Sequence, residues 1–182
     1  MIAIIGKYGS GKTTFLKKVE TYGYKVLYSD EFYKQSYLTP NESYKLIKEH
    51  LGEEFVDSEQ VNKEKIRDFL LENPKNRDTL EKLIYPVLER HLESNKYDFV
   101  EIPNLFTKNA NFERFFSKIV NIVAQDEQRE KNIKNKGVNT KISNLNNSLN
   151  SLQIGKNVVN ISWKMIEKKD FFETFFQTIF NL

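Results

Sequence analysis

The sequence predicts an α/β fold in which a five-stranded parallel sheet is flanked by helices. Short runs rich in β-branched and aromatic residues alternate with stretches of helical periodicity, a pattern typical of strands joined by helical crossovers. Several of these runs are apolar almost throughout, as expected for strands that are buried on both faces. The five predicted strands cover residues 1–6, 24–29, 98–103, 118–124 and 157–162.

Two stretches carry the apolar period of helices that cover a core. Residues 80–92 and residues 172–180 each place their large apolar side chains at helical spacing on one face. Pro86 lies inside the first stretch and is expected to kink that helix or divide it at Tyr85, because proline lacks the backbone donor. Trp163 is expected to begin the last helix and to anchor the core.

The chain of 182 residues fits one domain spanning residues 1–182. Between the second and third predicted strands lie about 70 residues, far more than a crossover between parallel strands needs. The periodicity of this segment indicates several helices. We therefore expect a helical substrate-binding insertion there.

Composition limits the chemistry and the partners of this protein. The chain has no cysteine and only 2 histidines, so a metal would be bound through oxygen atoms. The net charge of +3 comes from 28 basic and 25 acidic residues that are largely interleaved, and this weak field gives no argument for a nucleic-acid partner. No aromatic residues interleave the Lys- and Asn-rich stretch to stack on bases, so we expect no nucleic-acid partner. No apolar run approaches the ~20 residues of a membrane span, and no basic region precedes the apolar start. We expect a cytoplasmic protein without a membrane partner.

The strongest motif is a phosphate-binding loop at residues 6–13, which reads G-x-x-x-x-G-K-[ST] between a predicted strand and a predicted helix. Its glycines let successive backbone N–H groups turn inward around an anion, and the helix start adds its positive dipole end. Lys12 is expected to reach the β- and γ-phosphates, Thr13 to bind Mg²⁺, and Thr14 to contact the α-phosphate. The expected nucleotide-binding residues of this loop are Gly6, Gly9, Ser10, Gly11, Lys12, Thr13 and Thr14.

Two carboxylates follow predicted strands at the edge where ligands of parallel sheets bind. Asp30 comes after the second strand and suits a base that orients and deprotonates an attacking hydroxyl. Glu101 lies near the end of the third strand and suits a place near the metal. The alternatives are a helix N-cap for Asp30 and a surface charge for Glu101. The loop motif fits kinases, GTPases and motor ATPases equally, so it leaves the acceptor open.

The chain resembles the dephospho-CoA kinases over about residues 1–130. Six features occur in that family's order and spacing, beginning with the phosphate-binding loop at the N-terminus and an acidic helix start 17 residues after Thr13. The other four are the tripeptide at residues 50–52, the segments 62–70 and 80–86, and Ile102-Pro103-Asn104-Leu105-Phe106.

The resemblance implies a kinase that moves the γ-phosphate of ATP to the 3′-hydroxyl of dephospho-CoA. It implies that Asp30 is the catalytic aspartate and that Lys12 is a second catalytic residue. It also implies that Thr13 and Glu101 belong to the Mg²⁺ site and that residues 32–95 hold the acceptor. It also implies a mobile lid over residues 126–150, in which Lys131 contacts phosphate. The basic residues of this region are Arg129, Lys131, Lys134 and Lys136, with Asn135 at a position where the family carries arginine.

Three departures from the family pattern affect the acceptor contacts. Tyr28 replaces the first residue of the Asp-x-Asp motif, Tyr85 replaces the histidine before Pro86, and Asn104 replaces the leucine after Pro103. A nucleoside or nucleotide kinase and a catalytically weakened, regulatory nucleotide-binding protein remain as alternatives. We expect a monomer or a weak homo-oligomer.

Overall fold

The computed structural model describes residues 1–102, 104–135 and 158–180 and contains a sheet of five parallel strands in the order β2-β3-β1-β4-β5. Each predicted strand is present, which confirms the predicted α/β fold, and each bound differs by at most two residues from the predicted one. Pro103 and Asn157, which were placed in predicted strands, lie outside the described residues. The strands are β1 (Ile2–Ile5), β2 (Val26–Tyr28), β3 (Phe99–Glu101), β4 (Lys118–Val123) and β5 (Val158–Ser162).

The helices lie between and after these strands, as the crossovers of a parallel sheet require. They are α1 (Lys12–Glu20), α2 (Ser29–Ser36), α3 (Glu42–Leu51), α4 (Lys63–Glu72), α5 (Pro74–Ser94), α6 (Asp126–Asn135), α7 (Trp163–Ile166) and α8 (Phe171–Phe180). Short 3₁₀ turns occur at Glu53–Phe55 and Phe112–Phe115. No helix within the described ranges is both long and apolar enough to cross a membrane.

Strand β1 lies at the centre of the sheet, and all four of its residues are buried. Ile4 pairs with Glu101 on one side and with Val120 on the other. Because all strands are parallel, their carboxyl ends meet at one edge of the sheet, directly before the loop that leads into α1. The sheet therefore positions the phosphate-binding loop beside the end of β3.

One face of the sheet is covered by α1 and α8, whose aromatic side chains form the main core. Phe15 of α1 is fully buried and stacks on Phe172 of α8, with ring centroids 5.6 Å apart, while Phe175 meets it edge-on at 5.5 Å. Burying a phenylalanine side chain stabilises a fold by about 1.5–3 kcal/mol. This packing holds α1, and hence the loop before it, against the sheet.

The structure bears on two predictions about helices. Of the two outcomes expected at Pro86, a kink or a division of the helix at Tyr85, it excludes the division, because α5 runs without interruption through Pro86. The apolar face of α5 is buried on both sides of the proline, at Ile84 and Leu88. Trp163 does not begin the last helix: it begins the one-turn helix α7, and the last helix starts separately at Phe171.

The chain forms two compact units. Unit 1 contains residues 1–28, 97–106 and 112–182, with the sheet and its core, and unit 2 contains residues 29–96 and 107–111. Unit 2 is built from α2 to α5 around buried apolar residues of α3, α4 and α5. This second core comprises Tyr44, Ile47, Val61, Ile66, Leu80 and Ile84. The long segment predicted as an insertion is therefore a folded helical unit.

Candidate active site

The phosphate-binding loop connects β1 to α1 and takes a backbone path that requires glycine. Gly9 and Gly11 have φ angles of 79° and 90°, in the left-handed region that residues with a Cβ rarely adopt. A Cβ on Gly6 would lie 2.7 Å from the carbonyl oxygen of Ile122. The loop therefore approaches the neighbouring backbone too closely for any side chain at these positions.

Helix α1 begins at Lys12, and no side chain caps its first turn. The N–H groups of a first turn have no partner within the helix, so they are available to an anion. Lys12 itself is 8% exposed, and its Nζ donates a hydrogen bond to the carbonyl oxygen of Gly6 at 3.0 Å. The ammonium group is thus folded back along the loop.

Glu101, the last residue of β3, lies next to this lysine. Its Oε1 is 3.9 Å from Lys12 Nζ, and the residue is 7% exposed. The interpretation of Glu101 as a surface charge is therefore wrong. Parallel pairing brought the two residues together, because the end of β3 is in register with Ile4, just before the loop.

The three hydroxyl residues of the loop region differ in exposure. Thr13 is half-buried and Thr14 is exposed, both in the first turn of α1. Ser10 is buried, and its Oγ has no hydrogen-bond partner in the part of the chain that the structure describes. A buried hydroxyl without a partner is uncommon in proteins and suits a position that contacts a ligand.

Tyr28 ends β2 at the position where the resembled family has an aspartate. Its hydroxyl donates a hydrogen bond to Glu20 at 2.9 Å. Burial raises the pKa of Tyr28, and the hydrogen bond to Glu20 and the charges of Glu20 and Glu101 raise it further. The side chain is therefore a neutral phenol at physiological pH and replaces a carboxylate with a hydrogen-bond donor.

Asp30 lies in the first turn of α2, two residues after the end of β2, and is exposed. The N-cap interpretation is wrong, because the helix already begins at Ser29. Ser29 is 1% exposed, and within the described residues its Oγ also has no hydrogen-bond partner.

Helix α6 contains the described part of the segment that was predicted as a lid. Lys131 and Lys134 are exposed, Asn135 is the last residue of the helix, and Lys136 lies outside the described residues. Arg129 differs, because its side chain is only 12% exposed and its Nε donates to the carbonyl oxygen of Tyr8 at 3.1 Å. Among the described basic residues of the predicted lid, Arg129 therefore contacts the loop backbone directly.

Two further residues contact the loop and were not predicted from the sequence. Asn132 Nδ2 donates to the carbonyl oxygen of Gly9 at 2.9 Å, and Trp163 Nε1 donates to that of Ser10 at 2.6 Å. Trp163 was predicted to anchor the core, and its ring does pack against the core of unit 1. The position of Trp163 directly after β5, at the edge of the sheet where ligands bind, could have predicted its contact with the loop.

A cavity of about 430 Å³ opens beside the loop within unit 1. Its lining includes Lys7 and Ser10 of the loop, Ala124 after β4, Arg129 of α6 and Asn160 of β5. This volume lies within the range of small-molecule sites in proteins.

Unit 2 contains a polar cluster around Glu81 of α5, which is 7% exposed. The Glu81 carboxylate accepts hydrogen bonds from Arg77 at 2.7 Å, Thr107 at 2.9 Å and Asn109 at 2.7 Å. Burial acts to raise the pKa of Glu81, but the bonds from Asn109, Arg77 and Thr107 outweigh it and lower that pKa. Glu81 therefore fixes the segment that follows β3 to the helical unit.

Tyr85 belongs to an aromatic group in the same unit. Burial raises the pKa of Tyr33, and the neighbouring Tyr85, Tyr37, Glu81 and Glu89 raise it further. Tyr33 Oη has no hydrogen-bond partner among the described residues.

Across the described residues, no three His, Asp or Glu side chains converge as a metal-binding group.

The sequence of this chain is similar to those of known dephospho-CoA kinases. The sequence profile of the dephospho-CoA kinase family matches residues 1–155. A dephospho-CoA kinase of Mycoplasma genitalium is 28% identical over 134 residues, covering 70% of this chain and 68% of that protein. One from Rickettsia felis is 30% identical over 135 residues, covering 70% of this chain and 67% of that protein.

Two solved structures share the fold. The protein TT1252 of Thermus thermophilus superimposes with a TM-score of 0.72 at 19% identity, over 100% of this chain and 96% of that chain. A dephospho-CoA kinase from Campylobacter jejuni superimposes with a TM-score of 0.53 at 15% identity, over 98% of this chain and 96% of that chain.

Proposed function

Because this chain belongs to the dephospho-CoA kinase family, which transfers a phosphate from ATP to dephospho-CoA, we propose that its phosphate-binding loop holds ATP and that Asp30 activates the acceptor. The observation that supports this most strongly is the buried ammonium group of Lys12, held at the loop by Gly6 and Glu101. A desolvated cation beside the N–H groups of a helix start is complementary to a triphosphate.

Lys12 and the loop act through charge and position. The backbone N–H groups of the loop and of the first turn of α1 bind the phosphate oxygens, and Lys12 turns from Gly6 to the β- and γ-phosphates. The buried hydroxyl of Ser10 and the exposed hydroxyl of Thr14 add donors at the same place. Such preorganised donors stabilise the charge of the transferring phosphate in the transition state.

Mg²⁺ fits the oxygen donors present at the loop, which are the Thr13 hydroxyl and the Glu101 carboxylate. Magnesium prefers oxygen ligands and commonly keeps several waters while binding one carboxylate and the phosphates of its substrate. We propose that Thr13 contacts the ion directly and that Glu101 holds its water shell. When bound, the ion neutralises charge shared between the β- and γ-phosphates.

Asp30 is the proposed general base, at the position that matches the family's catalytic aspartate. Its carboxylate accepts the proton of the acceptor 3′-hydroxyl, and the hydroxyl oxygen forms a bond to the γ-phosphorus. The bond between that phosphorus and the β–γ bridging oxygen breaks, which releases ADP. The exposed position of Asp30 just after β2 supports this role, because ligands of parallel sheets bind beyond the strand ends.

We propose that unit 2 binds dephospho-CoA and that Lys131, exposed on α6, neutralises the transferring phosphate from the lid. Closure of the lid would exclude water, which otherwise hydrolyses ATP. Lysine supplies a point charge without the bidentate geometry of arginine. We further propose a cytoplasmic monomer or weak homo-oligomer that binds no nucleic acid.

An acceptor panel tests the function. ATP consumption is measured with dephospho-CoA, with nucleosides and with nucleoside monophosphates, each with and without Mg²⁺. We expect Mg²⁺-dependent transfer to dephospho-CoA and at most weak transfer to the others. Preference for a nucleoside or nucleotide would favour the alternative kinase. ATP binding without transfer to any acceptor would favour the regulatory alternative, which Tyr28 in place of an aspartate suggests.

A further inference from the structure

Three successive carbonyl groups of the phosphate-binding loop each accept a hydrogen bond from a side chain far away in sequence. Arg129 Nε donates to Tyr8, Asn132 Nδ2 donates to Gly9, and Trp163 Nε1 donates to Ser10, at 3.1, 2.9 and 2.6 Å. We call Arg129, Asn132 and Trp163 the loop anchors. They come from two elements, because the first two lie on α6 and the third begins α7.

Fixing these carbonyls also fixes the amide groups of the loop. In a planar trans peptide the C=O of one residue and the N–H of the next point in opposite directions. The three anchored carbonyls therefore share their peptide planes with the N–H groups of Gly9, Ser10 and Gly11. The Ser10 N–H donates to the carbonyl oxygen of Lys7 at 3.0 Å. Carbonyls held toward the anchors therefore keep the N–H groups of Gly9 and Gly11 turned to the other side of the loop, where the proposed function places the phosphates.

Close packing against α6 and against Trp163 of α7 supports the same conformation of the loop. A Cβ on Gly9 would lie 2.9 Å from Ile133 Cγ1 of α6 and 3.1 Å from the carbonyl oxygen of Arg129. A Cβ on Gly11 would overlap the indole ring of Trp163. Arg129 is itself fixed by an ion pair of 2.7 Å with Asp126. The loop is thus held between α6 and α7 at the two glycines with positive φ.

We infer that Arg129, Asn132 and Trp163 are positioning residues of the ATP site, which hold the phosphate-binding loop in its nucleotide-binding conformation. This inference rests on the proposed binding of ATP by the loop. Without an anchor the free loop samples more conformations, and ATP binding must then order it, which lowers the affinity. The acceptor is proposed to bind unit 2, whereas the loop and its anchors belong to unit 1, so we expect the KM for the acceptor to stay unchanged.

Two variants test the inference on different elements. Trp163→Phe keeps an aromatic ring but removes the indole N–H, and Asn132→Ala removes the amide on α6. The matched controls are Met165→Ala on α7, where Met165 is 43% exposed, and Glu130→Ala on the exposed surface of α6. Calorimetry gives the Kd for ATP, and steady-state kinetics gives kcat and KM for ATP and for dephospho-CoA.

Each anchor variant should raise the Kd for ATP about three- to tenfold, which is the effect of one net hydrogen bond, while its KM for dephospho-CoA stays at the wild-type value. Both control variants should keep the wild-type Kd for ATP and the wild-type KM values. A parallel rise of both KM values, or an unchanged Kd for ATP in both variants, would overturn the inference. Should Trp163→Phe fail to fold, Asn132→Ala decides. Lys12→Ala separates the two proposals. If Lys12→Ala loses ATP binding while both anchor variants bind ATP normally, the inference about the loop anchors is refuted and the proposed function stands. If the wild-type protein binds no ATP, the proposed function is refuted.

Discussion

Lys12 Nζ and Glu101 Oε1 form an ion pair at 3.9 Å, and both side chains are more than nine-tenths buried. Removing water from a charged pair is unfavourable, and such a pair persists where each charge finds a partner. In this protein the pair holds the lysine side chain at the loop. In the proposed mechanism, ATP brings a second anionic partner to the same ammonium group.

Glu101→Gln should destabilise the free protein more than the ATP complex. The variant leaves the buried ammonium group without its carboxylate, which we expect to lower the free energy of unfolding by about 2–3 kcal/mol. Saturating ATP should recover part of this loss, because the phosphates replace the missing charge. Denaturant unfolding with and without ATP measures both values, with exposed Glu113→Gln as the control. Equal stability of Glu101→Gln and wild type would contradict the role of the pair.

Asp30→Asn should separate catalysis from ATP binding. The amide cannot accept the hydroxyl proton, so we expect kcat to fall by about 10²–10⁴ while the Kd for ATP stays within twofold of the wild-type value. Stopped-time assays of coenzyme A formation and calorimetric titration with ATP give the two quantities. Glu31→Gln, at the next and equally exposed position, should keep wild-type kcat. Full turnover by Asp30→Asn would remove Asp30 from the mechanism.

Gly11→Ala should cost more stability than Gly23→Ala, although the two glycines have nearly the same φ, 90° and 89°. Both changes place a Cβ in the left-handed region, which costs about 1–2 kcal/mol. Only at Gly11 does the Cβ also overlap Trp163, whereas nothing lies within 4 Å of it at Gly23. We expect a further loss of about 1–3 kcal/mol from this overpacking. Thermal unfolding of the two variants measures the difference, and equal losses would show that Trp163 does not press on the loop.

Glu81 should make unit 2 sensitive to acid. Its folded pKa is lowered by the bonds from Asn109, Arg77 and Thr107, so its stabilising contribution is present above the unfolded pKa of about 4.3 and is lost as the pH falls through the folded value. The free energy of unfolding of wild type should therefore fall more steeply than that of Glu81→Gln between about pH 5 and pH 3. Parallel pH profiles of the two proteins would contradict the assignment.

Much of the sheet was predictable because its strands are buried on both faces and leave short, nearly continuous apolar runs in the sequence. The loop motif likewise predicted the places of Lys12 and Thr13, since both follow from the spacing within the motif and from its position between β1 and α1. Local preference left two outcomes open at Pro86, a kink or a division of the helix. The division does not occur, and the buried face of α5 continues past the proline.

The residues that donate hydrogen bonds to the loop could not be predicted from the sequence, for a different reason. Trp163 and Ser10 are 153 positions apart, and Asn132 and Gly9 are 123 apart. Neither contact leaves a periodic signal, because each depends on the order of strands in the sheet. The burial of Glu101 depended in the same way on the pairing of β3 with β1.

Coenzyme A formation from ATP and dephospho-CoA, measured in parallel for wild type and Lys12→Ala, tests the central claim most directly. We expect Mg²⁺-dependent product from the wild-type protein and none above background from the variant, with the Kd for ATP raised beyond detection. Wild-type protein that forms no coenzyme A would contradict the claim that this protein is a dephospho-CoA kinase, and a Lys12→Ala variant that forms it at the wild-type rate would contradict the claim that this loop holds the phosphate donor.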